Sequence, residues 1–110
     1  MEQTIIIGNL GRDPELRYTP EGKAVCNFSV AVSAGKDKEP HWYRVSAWEK
    51  EAENANKYLK KGSKVAVIGR SYASAYQNKE SGEIMAVQEL SAARIEYLSS
   101  STATQEEVSF

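Results

Sequence analysis

The fold is decided by residues 41–69, which read HWYRVSAWEKEAENANKYLKKGSKVAVIG and change the spacing of their apolar residues twice. Across His41–Trp48 two sets of side chains alternate at every second residue, which predicts a β-strand. Glu49–Leu59 has alanines and a leucine at helical spacing, and Lys60-Lys61-Gly62 supplies the basic last turn and the glycine that end helices. β-Branched residues return after Lys64. The stretch therefore predicts strand, short helix, strand.

Extended segments flank this stretch on both sides. The other long strands are predicted at Thr4–Gly8, at Val25–Ala34, at Lys64–Tyr76 with a bulge at Gly69, and at Ile84–Leu98 with a break around Ser91. Glu15–Tyr18 is a short strand or bend, and Gly8–Gly11 is predicted to turn, with glycines in backbone conformations that other residues avoid. Five strands with one short helix between the third and the fourth are the layout of the OB-fold, an all-β Greek-key barrel that mostly binds oligonucleotides and oligosaccharides.

The 110 residues, 41% hydrophobic and 26% charged, fit one small domain. The predicted domain is 1–98, and 99–110 is predicted to be a disordered acidic tail. No apolar run approaches the roughly 20 residues that cross a bilayer, so no membrane partner is expected. The N-terminus has no signal or transit character and Cys26 is the single cysteine, which favours a cytoplasmic protein.

The charge is almost balanced, with 14 basic and 15 acidic side chains and a formal net charge of −1. Without Glu106 and Glu107 of the tail, the acidic residues fall to 15 − 2 = 13. The domain is then close to neutral, so a site for a polyanion has to be a local face.

Few residues suit catalysis. His41 is the single histidine, and Cys26 alternates in step with Phe28 and Val30, which predicts a buried structural thiol. Gly8-Asn9-Leu10-Gly11 lacks the lysine and hydroxyl of a phosphate-binding loop. The sequence predicts a protein that is not an enzyme, with no metal and no cofactor.

The aromatic residues indicate a function more clearly than the candidate catalytic residues do. One side of His41–Trp48 carries Trp42, Arg44, Ser46 and Trp48, and the other carries Tyr43, Val45 and Ala47. Further along the chain, Tyr72 and Tyr76 share a strand face with Arg70 and Ser74. Exposed rings beside arginines suit a stacking platform, on which each base contributes about 1–3 kcal/mol with little sequence preference. The alternative is that a ring packs under a loop or at a subunit interface.

Several blocks together resemble a known family. They are Gly8–Thr19, then Gly22, Val25, Phe28 and Ala31-Val32, then Trp42–Val45, Tyr58–Gly62 and Val67–Arg70. In order and spacing they resemble the bacterial-type single-stranded DNA-binding protein over about residues 3–98. The resemblance implies an OB-fold that assembles as a homotetramer in the cytoplasm at the nucleoid. It implies wrapping of single-stranded DNA without sequence preference, and an acidic tip that recruits replication and repair proteins.

The resemblance also assigns residues. The stacking aromatics of the family fall on Trp42, Trp48 and Tyr76, whereas its usual basic residues fall near Tyr72 and Ser74. The predicted DNA-binding residues are Trp42, Trp48, Tyr72, Tyr76, Arg44, Arg70, Lys36, Lys38, Arg12 and Arg17. The predicted partner-binding residues are Glu106, Glu107, Val108 and Phe110, in a tip that lacks the aspartate run and proline of the family. The main alternative is a primosome-type OB accessory protein that chiefly bridges proteins, and a nucleic-acid-processing enzyme ranks third.

Overall fold

The computed structural model describes residues 2–98 as a rolled sheet with one helix. In chain order the elements are β1 (Thr4–Leu10), β2 (Glu15–Tyr18), β3 (Ala24–Val32), β4 (His41–Trp48), α1 (Glu49–Tyr58), β5 (Lys64–Gln77) and β6 (Ile84–Tyr97). Five of the strands are long, and α1 lies between the third and the fourth of them, which confirms the predicted OB-fold layout. The short strand β2 is a sixth strand that pairs with β3.

The sheet closes on itself. Its strand order is β1-β5-β6-β4-β3-β2, and β1 pairs a second time with β3. This closing seam is short, because only Asn9 with Ala31 and Leu10 with Val30 are in register. The β4–β6 pair is parallel and the other pairs are antiparallel.

Two glycines allow backbones to approach closely in this barrel. The predicted turn at Gly8 was wrong, because β1 continues to Leu10 and Gly8 keeps an ordinary φ. A Cβ at Gly8 would lie 2.1 Å from the carbonyl oxygen of Ala31, so the missing side chain lets β1 reach β3. A Cβ at Gly69 would likewise lie 2.0 Å from the carbonyl oxygen of Ser91, so the missing side chain lets β5 approach β6. The predicted irregularity there is confirmed by a register shift between Ile68 and Gly69, and the extra residue lies on the partner strand β6.

The core lies inside the barrel and continues under α1. Phe28, Val45 and Leu90 are neighbours in register on three strands, and all three are buried. The helix adds Ala52 and Ala55, which are fully buried. The other buried apolar residues of this cluster include Val30, Ala47, Leu59, Val65, Val67 and Ile95.

Cys26 belongs to this core and has no exposed surface, as predicted. Burial raises the pKa of its thiol to about 11, which disfavours the reactive thiolate at neutral pH.

Strand β6 runs without a break from Ile84 to Tyr97. The irregularity lies two residues from the predicted position: Ile68 pairs with Arg94 and Gly69 with Ala92, so Ala93 is an extra residue on β6. Within residues 2–98, no helix is both long and apolar enough to cross a membrane. The predicted tail 99–110, with its partner-binding residues, lies outside the described residues.

Candidate nucleic-acid interface

Strand β4 separates an inner and an outer set of side chains. Val45 and Ala47 are fully buried, whereas Trp42 and Trp48 are 50% and 45% exposed. The two indoles are six residues apart on one side of the strand, which is about 20 Å. Trp42 and Trp48 are therefore presented to solvent and are not part of the core.

Neighbouring strands extend the same side of the sheet, because residues paired across strands point in the same direction. We call this surface the outer face. It consists of Val25, Asn27, Ser29 and Ala31 of β3, Trp42, Arg44, Ser46 and Trp48 of β4, Arg70, Tyr72, Ser74 and Tyr76 of β5, and Met85, Val87, Glu89 and Ser91 of β6. Strand β2 continues this side with Glu15 and Arg17, which pair in register with Asn27 and Val25. One row across it runs Tyr72, Glu89, Arg44, Ser29.

Strand β5 contributes two further rings. Tyr72 is 52% exposed and Tyr76 is 47% exposed. The guanidinium carbon of Arg44 lies 5.9 Å from the centre of the Tyr76 ring, which is within the range of a cation–π contact. Arg44 therefore joins the aromatics of β4 and β5 into one surface.

Trp42 is held at one end of this surface by the turn after β1. A Cβ at Gly11 would lie 2.7 Å from the indole ring, so the ring lies directly over the backbone of Gly11. Gly11 also donates its N–H to the carbonyl oxygen of Ser29 at 3.1 Å, which ties this turn to β3. The backbone of the turn thus sets how far the indole can tilt toward the sheet.

Trp48 lies at the other end, in a groove that it shares with Arg17 and Tyr18 of β2. Arg17 donates a 2.6 Å hydrogen bond to the side-chain oxygen of Asn27, and the Asn27 amide donates a 2.8 Å bond to Ser46 Oγ. This chain of hydrogen bonds fixes Arg17 beside the outer face. Tyr18, which the sequence analysis missed, is 62% exposed. Its position in the groove depends on the pairing of β2 with β3.

The remaining predicted cations lie around the outer face. Arg12 and Arg44 line one depression of about 320 Å³, together with Asp13 and Glu15. Arg70 lies on the outer face itself, on β5, where it pairs in register with Ser91.

The two predicted lysines lie in the loop between β3 and β4. Lys38 lines a groove with Lys64 next to Ala31, which is the register partner of Trp42. Lys36 is exposed in the same loop. The structure thus places every predicted cation on the outer face or beside it, except Lys36, for which it shows exposure alone.

An acidic residue that the sequence did not indicate, Glu89, lies in the middle of the outer face. Arg44 Nη2 donates to Glu89 Oε2 at 3.4 Å, and Glu89 is the in-register partner of Arg44 on β6. The outward position of Glu89 could have been inferred from alternation along β6. Its pairing with Arg44 could not, because the two residues are 45 positions apart.

Comparison with known proteins agrees with this geometry. Over 87 residues the chain is 44% identical to the single-stranded DNA-binding protein of Neisseria meningitidis serogroup A, which covers 73% of this chain and 50% of that protein. It is 40% identical over 103 residues to the single-stranded DNA-binding protein of Halalkalibacterium halodurans, covering 89% of this chain and 61% of that one. It is 41% identical over 103 residues to single-stranded DNA-binding protein 1 of Staphylococcus aureus strain MSSA476, covering 89% and 65%.

These alignments span only half to about two thirds of the length of the curated relatives. The match to the family itself extends over residues 1–98, which is nearly all of the chain and includes every strand of the barrel. It confirms the resemblance drawn from the sequence blocks. On this match and on these identities, the chain belongs to the Single-strand binding protein family.

Proposed function

We propose that the protein binds single-stranded DNA without sequence preference, through its outer face. The observation that carries the proposal is the set of four aromatic rings, each about half exposed, on β4 and β5, which flank β6, with Arg44 among them. Rings kept in solvent on a rigid sheet can stack on any base, because every base has a flat π face. Membership of the family supports the same ligand.

The proposed roles divide by chemistry. Trp42, Trp48, Tyr72 and Tyr76 stack on bases, and the rings carry no charge, so their contribution depends little on salt. The proposed phosphate contacts are Arg44, Arg70, Lys36, Lys38, Arg12 and Arg17. Each phosphate that a cation neutralises releases counterions, which makes binding weaken as salt rises. Domain 1–98 is the proposed DNA-binding unit.

A titration with oligo-dT, followed by tryptophan fluorescence, tests the proposal. Stacking on Trp42 and Trp48 should quench the fluorescence strongly, and oligo-dA and oligo-dC should bind within a similar range of affinity. Weak quenching would favour the alternative of a protein-bridging accessory protein. Turnover of the oligonucleotide would instead indicate an enzyme.

We further propose that the protein acts in DNA replication, recombination and repair, in the cytoplasm at the nucleoid, and that the tail 99–110 recruits partner proteins. The tail offers Glu106 and Glu107 for basic groups of a partner, and Val108 and Phe110 for an apolar pocket. Contacts of this size bind weakly, so docking in the micromolar range is expected.

Deletion of residues 106–110 tests this role. Oligo-dT affinity should stay equal or rise slightly, because the acidic segment no longer competes for the basic groups of the domain. Pull-down of replication and repair proteins from the native cytosol should be lost. If the truncated and full-length proteins recovered the same partners, the recruiting role would have to be dropped.

A homo-oligomer, with the tetramer as its proposed form, is supported by an apolar surface on β1. Ile5 and Ile7 point outward and are 62% and 51% exposed. Ile5 pairs in register with the half-buried Ile68 of β5, which widens the apolar surface. The edge of β1 opposite β5 pairs with β3 only at Asn9 and Leu10, so Thr4–Ile7 can add a strand from a second copy.

Replacement of both Ile5 and Ile7 by lysine should dissociate the oligomer. Two charges in an apolar interface oppose association, and they leave the barrel interior untouched. Sedimentation velocity at micromolar concentration should shift to a smaller species, whereas Tyr58→Lys, at a similarly exposed position on α1, should not change it. A wild-type protein that sediments as a monomer would contradict the proposed oligomer.

A further inference from the structure

We propose that Glu89 competes with DNA phosphate for Arg44, and so limits the affinity and the salt dependence of single-stranded DNA binding. The inference rests on the proposed function and adds a residue to it that opposes binding. It follows from the contacts of Arg44, from the position of Glu89 on the outer face and from the charges around both.

In the free protein the Arg44 guanidinium contacts two residues, Glu89 and Tyr76. Its Nη2 lies 3.4 Å from Glu89 Oε2, and its guanidinium carbon lies 5.9 Å from the centre of the Tyr76 ring. The Arg44 side chain is 45% exposed, so a ligand can reach it, whereas the Glu89 side chain is only 19% exposed. The arginine can therefore move to a new partner while the carboxylate stays in the sheet surface.

A phosphate is a direct substitute for the Glu89 carboxylate. Both present oxygens that the N–H groups of a guanidinium bind in pairs, so Arg44 cannot give its best geometry to both at once. When a phosphate takes Arg44, Glu89 is left without that partner and faces the incoming negative charge. Both consequences oppose binding.

The position of Arg44 also affects base stacking. Its guanidinium covers one face of the Tyr76 ring. A base that stacks on this side has to displace the guanidinium or stack together with it. Release of Arg44 from Glu89 therefore bears on a phosphate contact and on one stacking site.

Few charged residues lie on the outer face of β4, β5 and β6, so a single carboxylate has a large effect on DNA binding there. Among the outer-face residues of β4, β5 and β6 the cations are Arg44 and Arg70, and Glu89 is the acidic residue. On β5 the residue in register with Glu89 is the uncharged Tyr72, whereas on β4 it is Arg44. One carboxylate thus occupies one of the two arginines that β4 and β5 present on this side.

Glu89→Gln tests the proposal. The amide keeps the shape and can still accept a hydrogen bond from Arg44, but it removes the competing charge. Oligo-dT binding at low salt should tighten about fivefold. The slope of log K against log salt should steepen by about 0.7, the value for one more phosphate contact on a single strand. Glu89→Thr, a second variant with a side chain suited to a strand, should act in the same direction.

Two controls separate competition from general charge. Glu53→Gln removes the same charge from the exposed surface of α1 and should leave the slope unchanged. In an Arg44→Gln background, Glu89→Gln should lose its effect on the slope, because the freed partner is absent.

The proposal is overturned if Glu89→Gln behaves like Glu53→Gln, if it weakens binding, or if its slope change persists without Arg44. Each of these results leaves DNA binding by the wild-type protein in place. A wild-type protein that does not bind oligo-dT would overturn the proposed function as well, so the two failures are distinguishable.

Discussion

Gly8→Ala is expected to lower the free energy of unfolding by about 3 kcal/mol. The added methyl group would lie 2.1 Å from the carbonyl oxygen of Ala31 and 2.9 Å from a methyl carbon of Val30. The nearest obstacle is backbone, so relief requires β1 to move away from β3. That movement breaks the short seam that closes the barrel.

Urea denaturation, followed by far-UV circular dichroism at one fixed protein concentration, measures the effect. Gly22→Ala is the matched control, because its Cβ would meet nothing within 4 Å. Gly22 has a φ of +86°, so alanine there should cost about 1 kcal/mol through the backbone alone. Equal losses at the two positions would contradict the close contact at the seam.

Trp42→Ala and Trp48→Ala are each expected to weaken oligo-dT binding by about 1–3 kcal/mol, which is roughly 5- to 150-fold in affinity. Both rings are about half exposed, so their removal should cost the fold little. Because the rings are uncharged, the slope of log K against log salt should stay nearly constant. Fluorescence anisotropy of a labelled oligo-dT at several salt concentrations measures affinity and slope together.

Tyr58→Ala is the control for this pair. Tyr58 is 56% exposed and packs edge-on against Tyr97, with the ring centres 5.6 Å apart. It lies on α1, away from the outer face, so its loss should leave oligo-dT affinity unchanged. If both tryptophan variants bound as tightly as the wild type, the rings would be structural and the proposed stacking site would be wrong.

Much of the architecture follows from local spacing in the sequence. Alternation along His41–Trp48 separates the buried Val45 and Ala47 from the exposed tryptophans, and the structure shows this separation. The helix predicted at Glu49–Leu59 differs by one residue from the observed α1. These predictions succeed because a strand or a helix sets side-chain direction by its own repeat, whatever its neighbours are.

Other features required the tertiary structure. Gly8-Asn9-Leu10-Gly11 has the residues of a turn, yet Gly8 lies within β1. Its glycine is required by the close approach to the backbone of Ala31 on β3, which is distant in sequence. The groove that joins Tyr18 to Trp48 and the ion pair of Arg44 with Glu89 likewise bring together residues that are distant in sequence.

The sequence by itself determined which side chains of a strand face solvent, where the helix lies and that Cys26 is buried. The tertiary structure alone decided which distant residues come together: Arg44 contacts Glu89 and Tyr76, the Trp42 ring lies over the backbone of Gly11, and Lys38 and Lys64 line one groove. The physical reason is that side-chain direction repeats every two residues within a strand, whereas contacts across strands depend on register. Register is set by barrel closure and by the register shift between β5 and β6 at Gly69, which are properties of the whole sheet.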